Sequence, residues 1–486
     1  NIWLASNGGG IGGYWGDVRS DGTSTSHGSK STGSIPFMRV VDSQMLAFNQ
    51  GTTRRGSYAC YMDISHPEIE EFLFMRKSSG GDANRKCLNL HHGINITDDF
   101  MTAVSKNIEW KLIDPHSKKI KKSINARELW RLILETRHET GEPYLHFVDT
   151  SNKHLPETQK KLGLSIKQSN LCSEITLPTD EDRTAVCCLS SVNLAKYDEW
   201  STSPTFIPDM IRMLDNVLEH FIQSTYDFSY DFQGKVLSMK VKEGMEGFTK
   251  AGYSAYRERS LGLGAMGFHT YLQKLNVPFE GPIATGQNLK MFRQIKELAT
   301  KTSIELAEER GEAPDMEGTG MRNAHLLAIA PNATSSIICG GTSPSIEPIR
   351  ANVFIHKTLN GSFQVRNRQL HILLKQKWEN SEDLQKEYDS DYQSYKDKVW
   401  QSISEHNGSV KHLEFLSDLE RDVFKTADEI DQNWIIEHAS KRQEFICQAQ
   451  SVNLFFVAPR IQEKQEEHDN FLRYTNKVHF QAWKKG

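Results

Sequence analysis

Residues 168 to 179 read QSNLCSEITLPT, which sets an amide at Asn170, a thiol at Cys172 and a carboxylate at Glu174, at every second position. In an extended chain, side chains two apart project to the same side, so the three would face one substrate. A nucleophilic cysteine needs a histidine or a helix N-terminus to form its thiolate. The nearest ionisable group here is the Glu174 carboxylate, which favours the protonated thiol instead. A thiol kept protonated suits hydrogen-atom chemistry, in which a thiyl radical removes a hydrogen atom from substrate and later returns it. The carboxylate then serves as base for a substrate hydroxyl, the amide binds a neighbouring oxygen, and Cys187 is placed to supply reducing equivalents. Taken alone Cys172 would read as a core thiol; the company it keeps argues otherwise.

A second polar cluster lies in APNATSSIICGGTSPSIEP, where Pro331 and Asn332 precede Ala333, Thr334, Ser335 and Ser336. If a helix starts there, its open N–H groups and the hydroxyls form an anion site that needs no basic residue. The plainer reading is a Ser/Thr helix cap. Other motifs fail on context. GGGIGG satisfies the dinucleotide fingerprint through Gly8, Gly10 and Gly13, but the following YWGDVRSDG cannot open the helix that fingerprint requires. GTSTSHGSKS is not a P-loop, because Ser29 separates Gly28 from Lys30. The adjacent pairs His91 with His92 and Cys187 with Cys188 lack the two-residue gap of a zinc half-site, so they read as structural and no metal is expected.

The elements that must hold these groups follow from patterning. The first sixty residues are rich in Gly, Ser and Thr and read as long loops between short elements. HPEIEEFLFMRK reads as a helix opened by Pro67, and NARELWRLILETRHETG as an amphipathic helix stopped by Gly141. PYLHFVD, SEITLP and AVCCLSSVNL read as buried strands. Helix is expected through DMIRMLDNVLEHFIQS and NLKMFRQIKELATKTSIELAEERG, interrupted by the glycine-rich RSLGLGAMGF. Strand and loop return at 321–350. The charged KQKWENSEDLQKEYDSDYQSYKDK is expected as surface helix, FICQAQSVNLFF as strand, and DNFLRYTNKVHFQAWKKG as a last helix. Short buried strands alternating with longer helices mean α/β architecture. No internal repeat or linker divides the chain, which reads as one domain over 1–486.

With 486 residues, 37% hydrophobic and 25% charged, the chain can bury a large core. A formal net charge of −4 and a pI near 6.6 make duplex nucleic acid a poor candidate ligand. Seven cysteines, an odd number scattered through a long chain, do not form a secreted disulfide framework. With no membrane-length apolar run and no signal peptide, a cytoplasmic location is expected, the host cytoplasm if the gene is phage-encoded.

SNLCSEITLPT, AVCCLSSVNL, RNAHLLAIAPNATSSI, SIEP and CQAQSVNLFF, in this order, resemble the catalytic subunit of ribonucleotide reductase, most of all the class I enzymes, including those of large tailed phages. The resemblance runs over essentially the whole chain. It implies a ten-stranded α/β barrel with the radical thiol on a central finger loop. Cys172 would abstract the ribose 3′ hydrogen, Glu174 would act on the 3′ hydroxyl, Asn170 would bind near the 2′ position, and Cys187 rather than Cys188 would be a reducing cysteine. Substrate, expected as a ribonucleoside diphosphate, would contact Gly10 and Ser169, with its phosphates on the 331–336 turn. Arg19 would belong to one specificity loop, and Gln50 and Arg54, in NQGTTRRG, to a second. This chain would bind no cofactor of its own. The radical would come from a small metallo-subunit, ATP and deoxynucleotides would act as effectors, and a thioredoxin or glutaredoxin type protein would reduce the site, in a homodimer.

The family's first reducing cysteine, its radical-relay tyrosine pair, its cysteine tail and its ATP-binding activity domain have no counterpart in this sequence. The chain is therefore expected to be a split or truncated piece, inactive alone, its missing parts either supplied by separate polypeptides or lost. Two alternatives remain open at this point: an adenosylcobalamin-dependent (class II) reductase, and a non-catalytic nucleotide-binding barrel.

Overall fold

The computed structural model describes residues 2–6, 8–48, 56–231, 236–358, 361–459 and 465–486. Gln50 and Arg54 lie outside the described residues. Two compact units are built from these segments, one from residues 1–186, 241–255 and 458–486, the other from 187–240 and 256–457.

In the first unit, β1 (Gly10–Tyr14), β2 (Ser57–Asp63), β3 (His91–Ile96), β4 (Glu109–Ile113), β5 (Ile120–Asn125) and β6 (Tyr144–Phe147) make two sheets. A parallel sheet has the order β1-β2-β3-β6, and β4 with β5 is an antiparallel hairpin. Parallel neighbours require crossover connections, supplied here by helices Ile35–Ala47, Ile69–Phe74, Asp98–Lys106 and Ala126–Thr140. Residues Tyr58 to Met62 of β2 are all buried, as expected of a strand covered on both faces. Their core partners include Met38, Phe72, Ile94, Phe100 and Ile133. Helix Ala126–Thr140 is capped by the Asn125 side chain and ends on Gly141 at φ 77°, the left-handed stop expected there. The last helix, Gln465–Lys485, docks on this unit, with Asn476 Oδ1 accepting from Trp130 Nε1 at 2.8 Å and Asp98 Oδ1 accepting from Trp483 Nε1 at 2.8 Å.

Two local expectations change. The helix after Pro67 begins only at Ile69, because residues 67–68 form a turn. SEITLP forms no strand; after the turn at Cys172 the chain runs on as an irregular segment.

The second unit holds β7 (Leu189–Asn193), β8 (Tyr226–Tyr230), β9 (Val236–Val241), β10 (Gly262–Met266), β11 (Val353–Thr358) and β12 (Gly361–Arg366). Strands β7 and β10 pair in parallel, and single parallel bridges, Leu263 to Leu327 and Ile329 to Gln450, extend hydrogen bonding into two further segments. The glycine-rich stretch expected to interrupt helix is thus the wholly buried strand β10. At Gly264 an added Cβ would lie 2.5 Å from the Ala328 carbonyl oxygen, so close backbone approach requires glycine there. FICQAQSVNLFF contributes one bridge rather than a strand. Helices Phe206–Thr225 and Pro282–Arg310 take their expected places. Buried Asp215 pairs with Arg259 at 3.1 Å and with Arg310 at 2.9 Å. The charged stretch near 375–398 is helical, over Arg368–Glu379, Glu382–Glu387 and Tyr392–Glu405. It is more than a surface, since Leu370, Leu374, Trp378, Tyr395 and Trp400 form an apolar core of their own.

Candidate active site

The three residues of the opening motif do not lie on an extended strand. Their segment turns back on itself: the Asn170 N–H donates to the Ile175 carbonyl at 3.1 Å, and the Ser173 N–H to the Asn170 carbonyl at 3.3 Å. Asn170 Oδ1 accepts from the Ile175 N–H at 3.1 Å, an Asx-type closure, and Ser173 adopts the left-handed region at φ 73°. A tight turn rather than a two-residue period therefore gathers amide, thiol and carboxylate.

Glu174 is 1% exposed, and its Oε2 has no hydrogen-bond partner among the described residues. Burial raises its carboxyl above the usual range, partly offset by its own backbone N–H and by the Asn170 side chain. Cys172 is half-buried. A buried carboxyl with one oxygen unspent is what a general base in contact with a substrate hydroxyl requires.

Neighbouring elements clamp the turn and its stem. The Tyr61 hydroxyl of β2 lies 2.5 Å from Ser169 Oγ and donates to the Asn170 carbonyl at 3.0 Å. Asn95 of β3 donates to the Lys167 carbonyl at 2.7 Å and to Asp63 at 2.8 Å. Asn152 closes both backbone groups of Ile166, donating to its carbonyl at 3.0 Å and accepting from its N–H at 2.8 Å. The glycines of β1 admit the turn: a Cβ on Gly10 would meet Leu171 Cδ2 at 2.8 Å, and one on Gly12 would meet Gln168 Nε2 at 2.7 Å. GGGIGG is therefore itself a strand edge laid against the turn, and no dinucleotide fingerprint. Ser169 is 2% exposed and its hydroxyl is engaged by Tyr61.

The loop after β1 carries Arg19, half-buried, whose Nη1 donates to the Ser24 carbonyl at 3.4 Å. Its base is held by Asp114, whose Oδ2 accepts from the Ser20 N–H, the Ser20 hydroxyl and the Thr23 hydroxyl at 2.8, 2.7 and 2.9 Å. Although burial opposes it, these donors and Ser117 hold the Asp114 carboxyl far below the usual range. GTSTSHGSKS closes on itself through Ser24 and Lys30. His91 is engaged by Glu142 Oε1 at 2.7 Å, a structural partner.

In the second unit the two adjacent cysteines separate cleanly. Cys187 is exposed, whereas Cys188 is buried, its thiol donating to the Leu214 carbonyl at 3.5 Å and burial pushing it up to about 11. The 331–336 turn runs into a helix of only four residues, Ser335–Ile338. Ser336 is spent on the turn, its N–H donating to the Asn332 carbonyl at 3.0 Å and its hydroxyl to the Ala333 carbonyl at 3.2 Å. The Asn332 amide lies 3.0 Å from the Ser191 hydroxyl of β7 and 3.2 Å from that of Ser335. Ala333 and Thr334 are exposed. Pro331 leads into Asn332, which sits at φ 52°.

Similarity to known proteins gives the chain its class. A family model described as ribonucleotide reductase, barrel domain, matches residues 2–319 and 313–486. The α/β barrel expected from the motifs is thus the fold. The chain belongs to the ribonucleotide reductase family, and it is an enzyme chain of the catalytic large-subunit type, which reduces ribonucleotides to deoxyribonucleotides. It is 45% identical, over its full length and 77% of the relative, to a putative ribonucleoside-diphosphate reductase large subunit of Frog virus 3. It is 42% identical, over 94% of its length and 74% of the relative, to the large subunit from Invertebrate iridescent virus 3. A solved Actinobacillus ureae class Id ribonucleotide reductase alpha subunit superposes with a TM-score of 0.77 at 31% identity, covering 98% of this chain and 77% of that one.

The clamp residues Tyr61, Asn95 and Asn152 went unnoticed in the sequence. Tyr61 and Asn95 sit within strands and Asn152 within the polar helix segment VDTSNK, where nothing in the residue types singles them out. Only the unbroken buried run of β2, with tyrosine in its middle, hinted that a phenol there needs a partner.

Proposed function

We propose that this chain reduces ribonucleoside diphosphates by thiyl-radical chemistry, with Cys172 as the radical thiol and Glu174 as the base on the 3′ hydroxyl. Asn170 both closes the turn and presents its amide near the 2′ oxygen. Cys187, the exposed member of its pair, carries reducing equivalents. Gly10 and the backbone of Ser169 line the substrate, while Pro331, Asn332, Ala333, Thr334, Ser335 and Ser336 form the phosphate turn, with the exposed Ala333 and Thr334 nearest the anion. Arg19, Gln50 and Arg54 belong to loops that read the deoxynucleotide or ATP effector. The radical arrives from a metal-bearing small subunit, and a thioredoxin or glutaredoxin type protein restores the dithiol. Residues 1–486 act as one barrel within a homodimer, in the cytoplasm of the cell or host; among the described residues no helix is long and apolar enough to cross a membrane.

The observation that carries this reading is the buried Glu174 with an unspent Oε2, one turn residue away from Cys172. Such an acceptor costs about 1–3 kcal/mol when left unsatisfied, so a substrate hydroxyl that completes it is a natural occupant. Reduction of labelled CDP, with ATP, a dithiol and the radical-generating subunit, by the chain alone and with polypeptides that complete it, tests it. Turnover lost in Cys172→Ser, with the variant folded and nucleotide still bound, is the expected result. Turnover that survives the substitution would remove Cys172 from the chemistry.

A further inference from the structure

Tyr61 is the largest side chain beneath the turn, and nothing in the reaction itself requires it. It is fully buried, at 0% exposure, in the middle of β2. Its ring passes over β3 at Gly93, its register partner, where a Cβ would lie 2.3 Å from Tyr61 Cε1. A side chain at 93 would displace the ring, so β3 is shaped to leave it one position. The hydroxyl then reaches two consecutive residues of the turn's near arm, Ser169 Oγ at 2.5 Å and the Asn170 carbonyl at 3.0 Å. That same Asn170 carbonyl also receives the Ser173 N–H at 3.3 Å, on the far side of Cys172. One oxygen atom therefore joins the phenol to both flanks of the thiol.

The phenol's own proton shows how near the chemistry lies. Burial pushes it up to about 12 against the hydrogen bonds of Ser169 and Ser173, with Glu174 and Cys172 both close enough to add to the rise. Tyr61 thus stays a neutral donor at every working pH, and its bond to the turn does not switch off.

We propose that Tyr61 is a positioning residue for the radical thiol. Its hydroxyl, held on rigid β2, fixes the Ser169–Asn170 arm and through the shared carbonyl sets where Cys172 Sγ stands relative to the ribose 3′ hydrogen. This rests on the reading of Cys172 as the radical site. Hydrogen-atom transfer falls off steeply with donor–acceptor separation, so a loosened turn slows that step more than it weakens substrate binding, to which Ser169 and Asn170 add only part of the contacts. A displacement on the order of 1 Å costs up to about a hundredfold in rate.

The test is Tyr61→Phe in the full-length chain, assayed with the radical-generating subunit on CDP and on CDP deuterated at the ribose 3′ carbon. The substitution removes one oxygen and keeps the ring. The expected result is a kcat lower by about tenfold or more with KM within about twofold, and a 3′-deuterium isotope effect on kcat that rises as hydrogen abstraction becomes limiting. Ser169→Ala, which removes one of the two partners and leaves the phenol, gives the same signature at smaller size and keeps the test alive if Tyr61→Phe folds poorly. A kcat that falls only with the folded fraction, at an unchanged isotope effect, would mean that Tyr61 merely packs, and unchanged kcat overturns the proposal outright. Cys172→Ser run alongside separates the two readings: if it still turns over, the radical assignment fails whatever Tyr61 does, and if it is dead, the Tyr61 result stands on its own.

Discussion

The turn at 168–175 and the turn at 331–336 are both short, polar and rich in small hydroxyl and amide side chains, yet they are held in opposite ways. The first is gripped from outside, by Tyr61 at Ser169 and Asn170, by Asn95 at Lys167 and by Asn152 at Ile166. The second is mostly tied to itself: Ser336 closes onto Asn332 and Ala333, and among the described residues it is the Asn332 amide that reaches out, to Ser191. The difference follows from the work each is proposed to do. A hydrogen-atom donor must stand at one position to within a fraction of an ångström, whereas a polar turn that binds a phosphate needs open N–H and hydroxyl groups and tolerates small shifts.

Glu174→Gln gives the largest expected effect. It keeps the volume and the buried position but removes the base, and kcat for CDP should fall about 10²- to 10⁴-fold with the fold intact. A fall under about threefold would make the buried carboxyl a structural group.

Next come the adjacent cysteines of the second unit. Cys187→Ser should stop multiple turnover with a dithiol, whereas Cys188→Ser should keep turnover and lose about 1–2 kcal/mol of stability, from placing a hydroxyl where a buried thiol packs. Reversed outcomes would exchange their roles.

Asn152→Ala removes both bonds to Ile166, and the clamp then predicts a kcat about tenfold lower with KM nearly unchanged. Thr334→Val on the exposed turn should do the converse, raising KM for CDP about three- to tenfold while kcat holds. Were Asn152→Ala to raise KM alone, the contrast between an outward-held and a self-held turn would collapse.

The last expected effect is on stability alone, and leaves turnover untouched. Glu347, in the segment leaving the second turn, is 5% exposed, and its Oε1 accepts from the Asn453 N–H at 2.8 Å and from Asn453 Nδ2 at 3.1 Å. Burial pushes its carboxyl up to about 7. A folded value above the unfolded one favours the protonated form, so the stability it brings is full below about pH 4.3 and is lost as pH rises through about 7. Denaturant unfolding should show the parent losing about 1–3 kcal/mol relative to Glu347→Gln between pH 4.5 and 8. Parallel pH profiles for the two would place the Glu347 carboxyl in the ordinary range.

Much of the chemistry was legible in one dimension. Asn170, Cys172 and Glu174, proposed to carry it, stand out by type and closeness, and the Thr-Ser-Ser cluster announces a polar turn, because reactivity depends on which groups are neighbours along the chain. The long helices 206–225 and 282–310 were equally readable from apolar periodicity, which is a local property. Strand β10 was not, since GLGAM has no alternation and becomes a strand by pairing with β7, Gly264 letting the Ala328 backbone come close.

The opening motif shows the division most sharply. Residue spacing put these three groups in one place by way of an extended strand, whereas a turn closed by Asn170 and Ser173 does the gathering. The preference for Cys187 over Cys188, which the family resemblance implied, gains support from exposure, which residue type cannot express. The clamp by Tyr61, Asn95 and Asn152 joins residues up to 109 positions apart. Chemical identity is written residue by residue and could be read directly; the position of a reacting atom depends on hydrogen bonds between segments that meet only once the parallel sheet has formed, and so it belonged to the tertiary structure alone.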